Sequence, residues 1–217
     1  MKGTSARRFQ NICVFCGSRP GKNKVFLEAA HKLGKVLAER KIHLIYGGGS
    51  LGLMGCVSAS AYTAGSQVIG IIPKALAVKN ITGKTVGEEL QVSSMHERIA
   101  NMLHNADAFI ALPGGFGTLE EIFQITSWAQ LNIHQKPIGL LNVNNFFDGL
   151  LTFLDQAVEQ DFISQTSRSI LVTGSTAEEL IDKLQSFVYK PESGATQIDW
   201  SMGYNKNKRK LDLTLRL

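Results

Sequence analysis

The chain has 217 residues, 44% of them hydrophobic, with 23 Lys and Arg against 18 Asp and Glu and a formal net charge of +5 at pH 7; that length buries one substantial core and is short for two ordinary domains. Residues 1–10 and 201–217 carry +7 of the charge and leave −2 on the 190 residues between them, so the body lacks the concentrated basic face of a nucleic-acid-binding domain. No run approaches about 18 apolar residues, which excludes a membrane helix, and the polar first ten residues hold no apolar export segment.

Taken in chain order, short apolar runs alternate with helical periodicity. Asn11–Phe15 reads as a buried strand, and Phe26, Ala30, Leu33 and Leu37 then recur at helical spacing up to Arg40. Ile42–Tyr46 is a second strand, followed by Gly47-Gly48-Gly49 and a helix over 51–64 with Met54, Val57 and Ala61 on one face. Gln67–Ile72 is a third strand, stopped by Pro73; residues 74–91 are irregular, with a short strand near Leu90–Val92. A helix from Met95 to about Asn105 precedes a strand at Ala108–Leu112, a glycine-rich turn and a long helix from Thr118 to about Leu131. Ile138–Asn142, a helix over 148–160, a short strand at Ile170–Val172 and a helix over 177–187 complete the pattern.

Repeated βα units whose strands are apolar without alternation predict a Rossmann-like α/β fold of three layers, with a parallel sheet of about six or seven strands covered on both faces. The folded domain is expected over residues 11–188, between a basic tail (1–10) and a polar tail (189–217). Ligands of such sheets bind at the carboxyl ends of the strands, where both glycine clusters fall.

Gly47-Gly48-Gly49-Ser50-Leu51-Gly52 matches G-x-G-x-x-G, yet Ile71, Ile72 and Pro73 stand about 20 residues on, where a dinucleotide site needs an acid. A phosphate cradle and a plain tight turn both remain open for it. Pro113-Gly114-Gly115-Phe116-Gly117-Thr118-Leu119-Glu120-Glu121 is more informative: three glycines, a hydroxyl and a helix start suit a phosphate. Thr118 to Glu121 also has capping-box spacing, as does Ser94 to Glu97. Arg98, a cation in a first helical turn, opposes the helix dipole and calls for an anion partner; Ile99 shares a face with Met95, Met102 and Leu103 and by spacing is core.

Gly83-Lys84-Thr85 fails as a phosphate loop because Val78 stands where its first glycine belongs. His31, His43, His96, His104 and His134 form no i, i+4 ligand pair, Cys13 and Cys16 lack a second pair, and neither a metal nor a cofactor is expected. The three cysteines read as buried thiols in a reducing compartment, and Phe123, Ile125 and Trp128 as core or dimer contact.

With PGGFGTLEE and Met95-His96-Glu97-Arg98 in view, the chain resembles the Lonely Guy family, the cytokinin riboside 5′-monophosphate phosphoribohydrolases. The likeness runs from CVFCGS (13–18) through YGGGSLGLMG (46–55), GIIPKAL (70–76), ALPGGFGTLEE (111–121) and WAQLNIHQKPIGLLNV (128–143) to about residue 187. Members are often labelled lysine decarboxylases, but His31-Lys32 sits within an amphipathic helix without the serine of a pyridoxal phosphate site. The resemblance implies a Rossmann-like homodimer acting on a small-molecule nucleotide, with Arg98 and Glu121 catalytic; the expected location is cytoplasmic, with the nucleus as a second compartment. It also implies substrate contacts from Gly115, Phe116, Gly117, Thr118, Leu119 and Glu120, joined by Met95, Ile99, Asn80, Ser127, Gly17, Ser18, Gly48 and Gly49. Four positions depart from the family pattern, Ser94, Ile99, Asn80 and Ser127. Ile99 and Asn80 remove a cation and an anion from the expected pocket, so a nucleotide-binding paralogue with little turnover is the second reading. Beyond Lys206–Lys210, Leu211 to Leu217 alternates with period two, which resembles a plant L-x-L-x-L repression motif but reads first as a disordered tail or an added edge strand.

Overall fold

The computed structural model of the chain describes residues 8–77 and 82–189; Asn80, the Lys206–Lys210 cluster and the alternating leucines lie outside them. The described elements are β1 (Asn11–Phe15), α1 (Val25–Glu39), β2 (His43–Tyr46), α2 (Gly52–Thr63), β3 (Val68–Pro73) and β4 (Glu88–Val92). They continue with α3 (Met95–Asn105), β5 (Ala108–Ala111), α4 (Phe116–Gln130), β6 (Ile138–Leu141), a 3-10 turn (Val143–Asn145), α5 (Asp148–Glu159), α6 (Gln165–Arg168), β7 (Leu171–Gly174) and α7 (Ala177–Ser186).

The strands form one seven-stranded sheet in the order β4-β3-β2-β1-β5-β6-β7, every pairing parallel. Because successive strand residues face opposite ways, β1 divides its side chains between two cores. Ile12 and Val14 join Leu33, Leu37, Val57 and Leu180, from α1, α2 and α7. Cys13 and Phe15 join Met102, Ile122, Ile125 and Leu154, from α3, α4 and α5. Burial on both faces explains why these strands read as unbroken apolar runs. Among the described residues no helix is long and apolar enough to cross a membrane.

From β1 the chain steps outward to β4, and α3 then returns it to β5 on the other side of β1. The loops after β1 and β5 therefore leave towards opposite faces and open a crevice between them at the carboxyl ends of the strands, the switch point where doubly wound sheets bind ligands. The two loops are stitched at their base: the Gly17 N–H donates to the Pro113 carbonyl (3.0 Å) and the Leu112 N–H to that of Phe15 (2.9 Å).

Two expectations shift. β4 is longer than the expected 90–92, because an edge strand with four exposed residues gives no apolar signal. α4 begins at Phe116 rather than Thr118: Gly115 is its N-cap and Gly117 lies inside its first turn. The Thr118–Glu121 capping box therefore does not form.

Candidate active site

The earlier start of α4 decides the site's geometry. Gly115 provides no side-chain cap, so the amides of Phe116, Gly117 and Thr118 face the crevice without one of the helix's usual oxygen acceptors. Thr118 is turned inward and buried; a Cβ on Gly114 would collide with its hydroxyl and come within 2.9 Å of the Gly17 nitrogen. Gly114 is thus glycine because the loop is folded tightly onto β1. Gly115 and Gly117 differ, since a Cβ on either would meet nothing within 4 Å. Packing within the protein does not demand their bareness, and it leaves room for another molecule to approach the amides. Phe116 between them is 93% exposed.

One helical turn below, Glu121 is only 7% exposed and faces Arg98, whose Nη1 lies 2.7 Å from Glu121 Oε1. Twenty-three positions of sequence separate the two, and the sheet brings them together. Ser94 starts α3 by accepting the Glu97 N–H at 3.1 Å, while the Glu97 carboxylate accepts the Ser93 N–H at 2.6 Å. With that turn fixed, Arg98 donates its Nε–H to the Ile71 carbonyl (3.1 Å) at the end of β3. A Cβ on Gly47 would come within 2.6 Å of Arg98 Nη2, so glycine after β2 makes space for the guanidinium.

The ion pair is close but bent: Glu121 Oε1 is buried and no N–H is aimed at it in hydrogen-bond geometry. Burial pushes the Glu121 carboxyl up to about 7; Arg98 pulls the other way and Glu120 adds a smaller push upward. A half-ionised carboxyl with an unmet acceptor beside a fixed cation suits proton handling or the holding of a hydroxyl or water.

A cleft of about 630 Å³ opens against the same glycine loop, lined by Gly17, Ser18, Arg19, Leu53, Gly114, Gly115, Phe116, Phe26 and Phe146 among others. Arg19 was not among the residues expected from sequence, where a basic residue in a polar loop gives no signal.

The other expected residues are distributed as follows. Met95 is 43% exposed at the start of α3, and Glu120 and Ser127 are exposed on α4, with Leu119 half-buried. Ile99 is 4% exposed within the core that holds Ile45, Ile71, Val92 and Met102; as its helical spacing indicates, it does not reach the crevice. Gly48, at a φ of +82°, is pressed on Ile72, and its carbonyl accepts the Thr85 hydroxyl at 2.8 Å. Gly49 lies against Met54 and Thr82, and the Ser50 N–H donates to the Thr82 carbonyl. The α2 amides of Leu53 and Met54 donate to the Gly17 carbonyl at 3.0 and 3.4 Å. The first glycine loop is thus tied to the 82–85 segment through the Gly48 carbonyl and the Ser50 N–H, whereas the start of α4 has no side-chain cap. Lys32, midway along α1, pairs with Glu178 at 2.8 Å, outside the crevice lining.

Residues 54–184 match the family model described as "Possible lysine decarboxylase". Cytokinin riboside 5′-monophosphate phosphoribohydrolase LOG3 of Arabidopsis thaliana is 50% identical over 213 residues, which covers 96% of this chain and 99% of the relative. The rice protein named "Probable cytokinin riboside 5′-monophosphate phosphoribohydrolase LOGL6" is 52% identical over 195 residues, 90% of this chain and 78% of its own. Among solved structures, the molybdenum cofactor binding protein of Rippkaea orientalis superimposes with a TM-score of 0.60 at 22% identity, over 85% of this chain and 98% of that one. That likeness is one of fold.

Proposed function

This chain belongs to the Lonely Guy family, the cytokinin riboside 5′-monophosphate phosphoribohydrolases, and we propose that its crevice hydrolyses N6-substituted adenosine 5′-monophosphates to the free base and ribose 5-phosphate. The observation that carries the catalytic assignment is the buried Arg98–Glu121 pair beside an uncapped, glycine-bared helix start. The substrate's phosphate lies on the α4 amides, where the helix dipole favours an anion. The sugar then extends towards Glu121. Water adds to C1′ as the bond from C1′ to the base nitrogen breaks; the sugar gains positive charge and the departing base negative charge, and the base takes up a proton from solvent, to which Glu121 later returns the proton it accepts. Ionised Glu121 stabilises the sugar cation and accepts the proton of the water, while Arg98 fixes Glu121 and faces the charge growing on the base. No metal or redox group enters this reading.

The test is release of ribose 5-phosphate from N6-isopentenyladenosine 5′-monophosphate. We expect turnover by the unaltered chain, and Glu121→Gln and Arg98→Ala to lose at least about a hundredfold in kcat. Wild-type rates from either variant would remove that residue from the mechanism. The placement of Ile99 in the core favours turnover over a merely nucleotide-binding paralogue, because the cation missing at this position is not missing from beside Glu121. A homodimer is part of the same reading. Phe123 and Ile133, apolar and more than a third exposed on and just after α4, support it, and a sedimentation mass of one chain would refute it.

A further inference from the structure

Taking the hydrolase reading as its ground, we infer that Arg19 is a phosphate-binding residue, gripping the nucleotide's 5′-phosphate from the wall opposite the α4 amides. Arg40, Arg98 and Arg168 each have a carboxylate partner, Asp182, Glu121 and Asp155. Arg19 has no ion pair or side-chain hydrogen bond among the described residues, and it lines a cleft that holds no Asp or Glu. Its side chain is free, but its backbone is not. The Gly17 N–H is tied to the Pro113 carbonyl and the Gly17 carbonyl receives the α2 amides, and a Cβ on Gly52 would run into the Ser18 and Arg19 backbone. The Arg19 side chain therefore springs from a fixed point of the crevice rim.

The facing wall complements it. Around the uncapped amides of residues 116–118 the space beside Gly115 and Gly117 is empty. A second sign of a ligand is Glu121 Oε1, more than nine-tenths buried and, although Arg98 Nη1 lies 2.7 Å away, without a directed hydrogen bond, one turn along the same helix. A molecule that satisfies both ends carries a dianion for the amides and guanidinium and a hydroxyl donor for the carboxylate, which is the chemistry of a sugar 5-phosphate. A planar guanidinium grips two phosphate oxygens at once, so Arg19 supplies selection for a phosphorylated substrate over the corresponding nucleoside.

The experiment compares the unaltered chain with Arg19→Ala, Arg19→Lys and, as a control for net charge, Arg40→Ala. Measured are kcat and KM on N6-isopentenyladenosine 5′-monophosphate and on its riboside, calorimetric binding of ribose 5-phosphate, and the melting midpoint. For Arg19→Ala we expect KM for the monophosphate and the Kd of ribose 5-phosphate to rise on the order of tenfold to a hundredfold. Its preference for the monophosphate over the riboside should fall by the same factor, with the melting midpoint held. Arg19→Lys should recover part of the loss and Arg40→Ala should show none. Ribose 5-phosphate binding that is equal in Arg19→Ala and the unaltered chain overturns the inference. Absence of turnover in the unaltered chain, with sugar phosphate binding still dependent on Arg19, overturns the hydrolase reading and leaves the phosphate site standing.

Discussion

In the proposed reaction Glu121 sets the pH behaviour of the site. With its carboxyl raised to about 7 and the ionised form doing the work, kcat/KM should climb as pH rises through about 7, above the substrate's own phosphate ionisation near 6. Taking away Arg98 removes the largest influence that lowers this value, so a carboxyl titration followed by NMR should move further upward in Arg98→Ala; a downward move would refute the assignment. The two kinds of glycine give a second test. Gly117→Ala adds a methyl into open space within a helix and should stabilise the chain by about 0.5–1 kcal/mol while weakening ribose 5-phosphate binding. Gly114→Ala drives a methyl into the Thr118 hydroxyl and should lose both stability and binding. Urea unfolding and calorimetry on the pair separate glycine needed for the fold from glycine needed for the ligand. Sequence gave Arg98 a motive, a cation opposing a helix dipole, but not its partner across twenty-three positions. Nor did it give the Ile71 carbonyl that holds it, since backbone acceptors leave no trace in residue type.

At the scale of elements, the loop between α4 and β6 acts as a clamp on the helix that carries Arg98. His134 Nε2 lies 2.9 Å from the Ile125 carbonyl, while its Nδ1 accepts the Lys136 N–H at 3.1 Å, an arrangement that fixes a neutral ring with the proton on Nε2. The Lys136 ammonium donates to the Leu103 carbonyl in the last turn of α3, where positive charge suits the dipole. Burial holds His134 below its usual value. A depressed histidine contributes stability that is present above the unfolded-state value near 6.5 and lost as pH falls below it. Glu121 runs the other way, since a raised carboxyl favours the fold as pH falls from about 7 towards its unfolded value of 4.5. The informative quantity is therefore the difference between the stability profiles of the unaltered chain and His134→Gln between pH 7 and 5, in which the Glu121 contribution cancels. We expect the variant to lose less on acidification; parallel curves would refute the clamp's titration. Most elements were legible because their apolar runs are buried on both sheet faces. Those that were not have clear causes: β4 is an exposed edge, α6 is four polar residues long, and Gly115 and Gly117 mask the true start of α4.

For the molecule as a whole, one topological event assembles the crevice. Reversal of the strand order at β1 brings together Gly17 to Arg19, Gly47, Ile71, Arg98 and the 113–121 loop and helix start. The parallel sheet and its binding edge could be foreseen from βα alternation alone. The contacts that tie the first glycine loop to the 82–85 segment could not, since they run through backbone groups that leave no trace in residue type. A site spread over so much of the chain should couple binding to global stability: ribose 5-phosphate at about 100 times its Kd should add about 2.7 kcal/mol to unfolding in urea, and Gly117→Val should abolish the gain. The unmet oxygen of Glu121 has a further consequence, in the exchange of protons with the buffer. With its carboxyl raised to about 7, Glu121 is partly protonated near neutrality in the empty protein. A sugar hydroxyl donated to it favours the ionised form, so binding should expel part of that proton, and the measured heat of binding should depend on which buffer receives it.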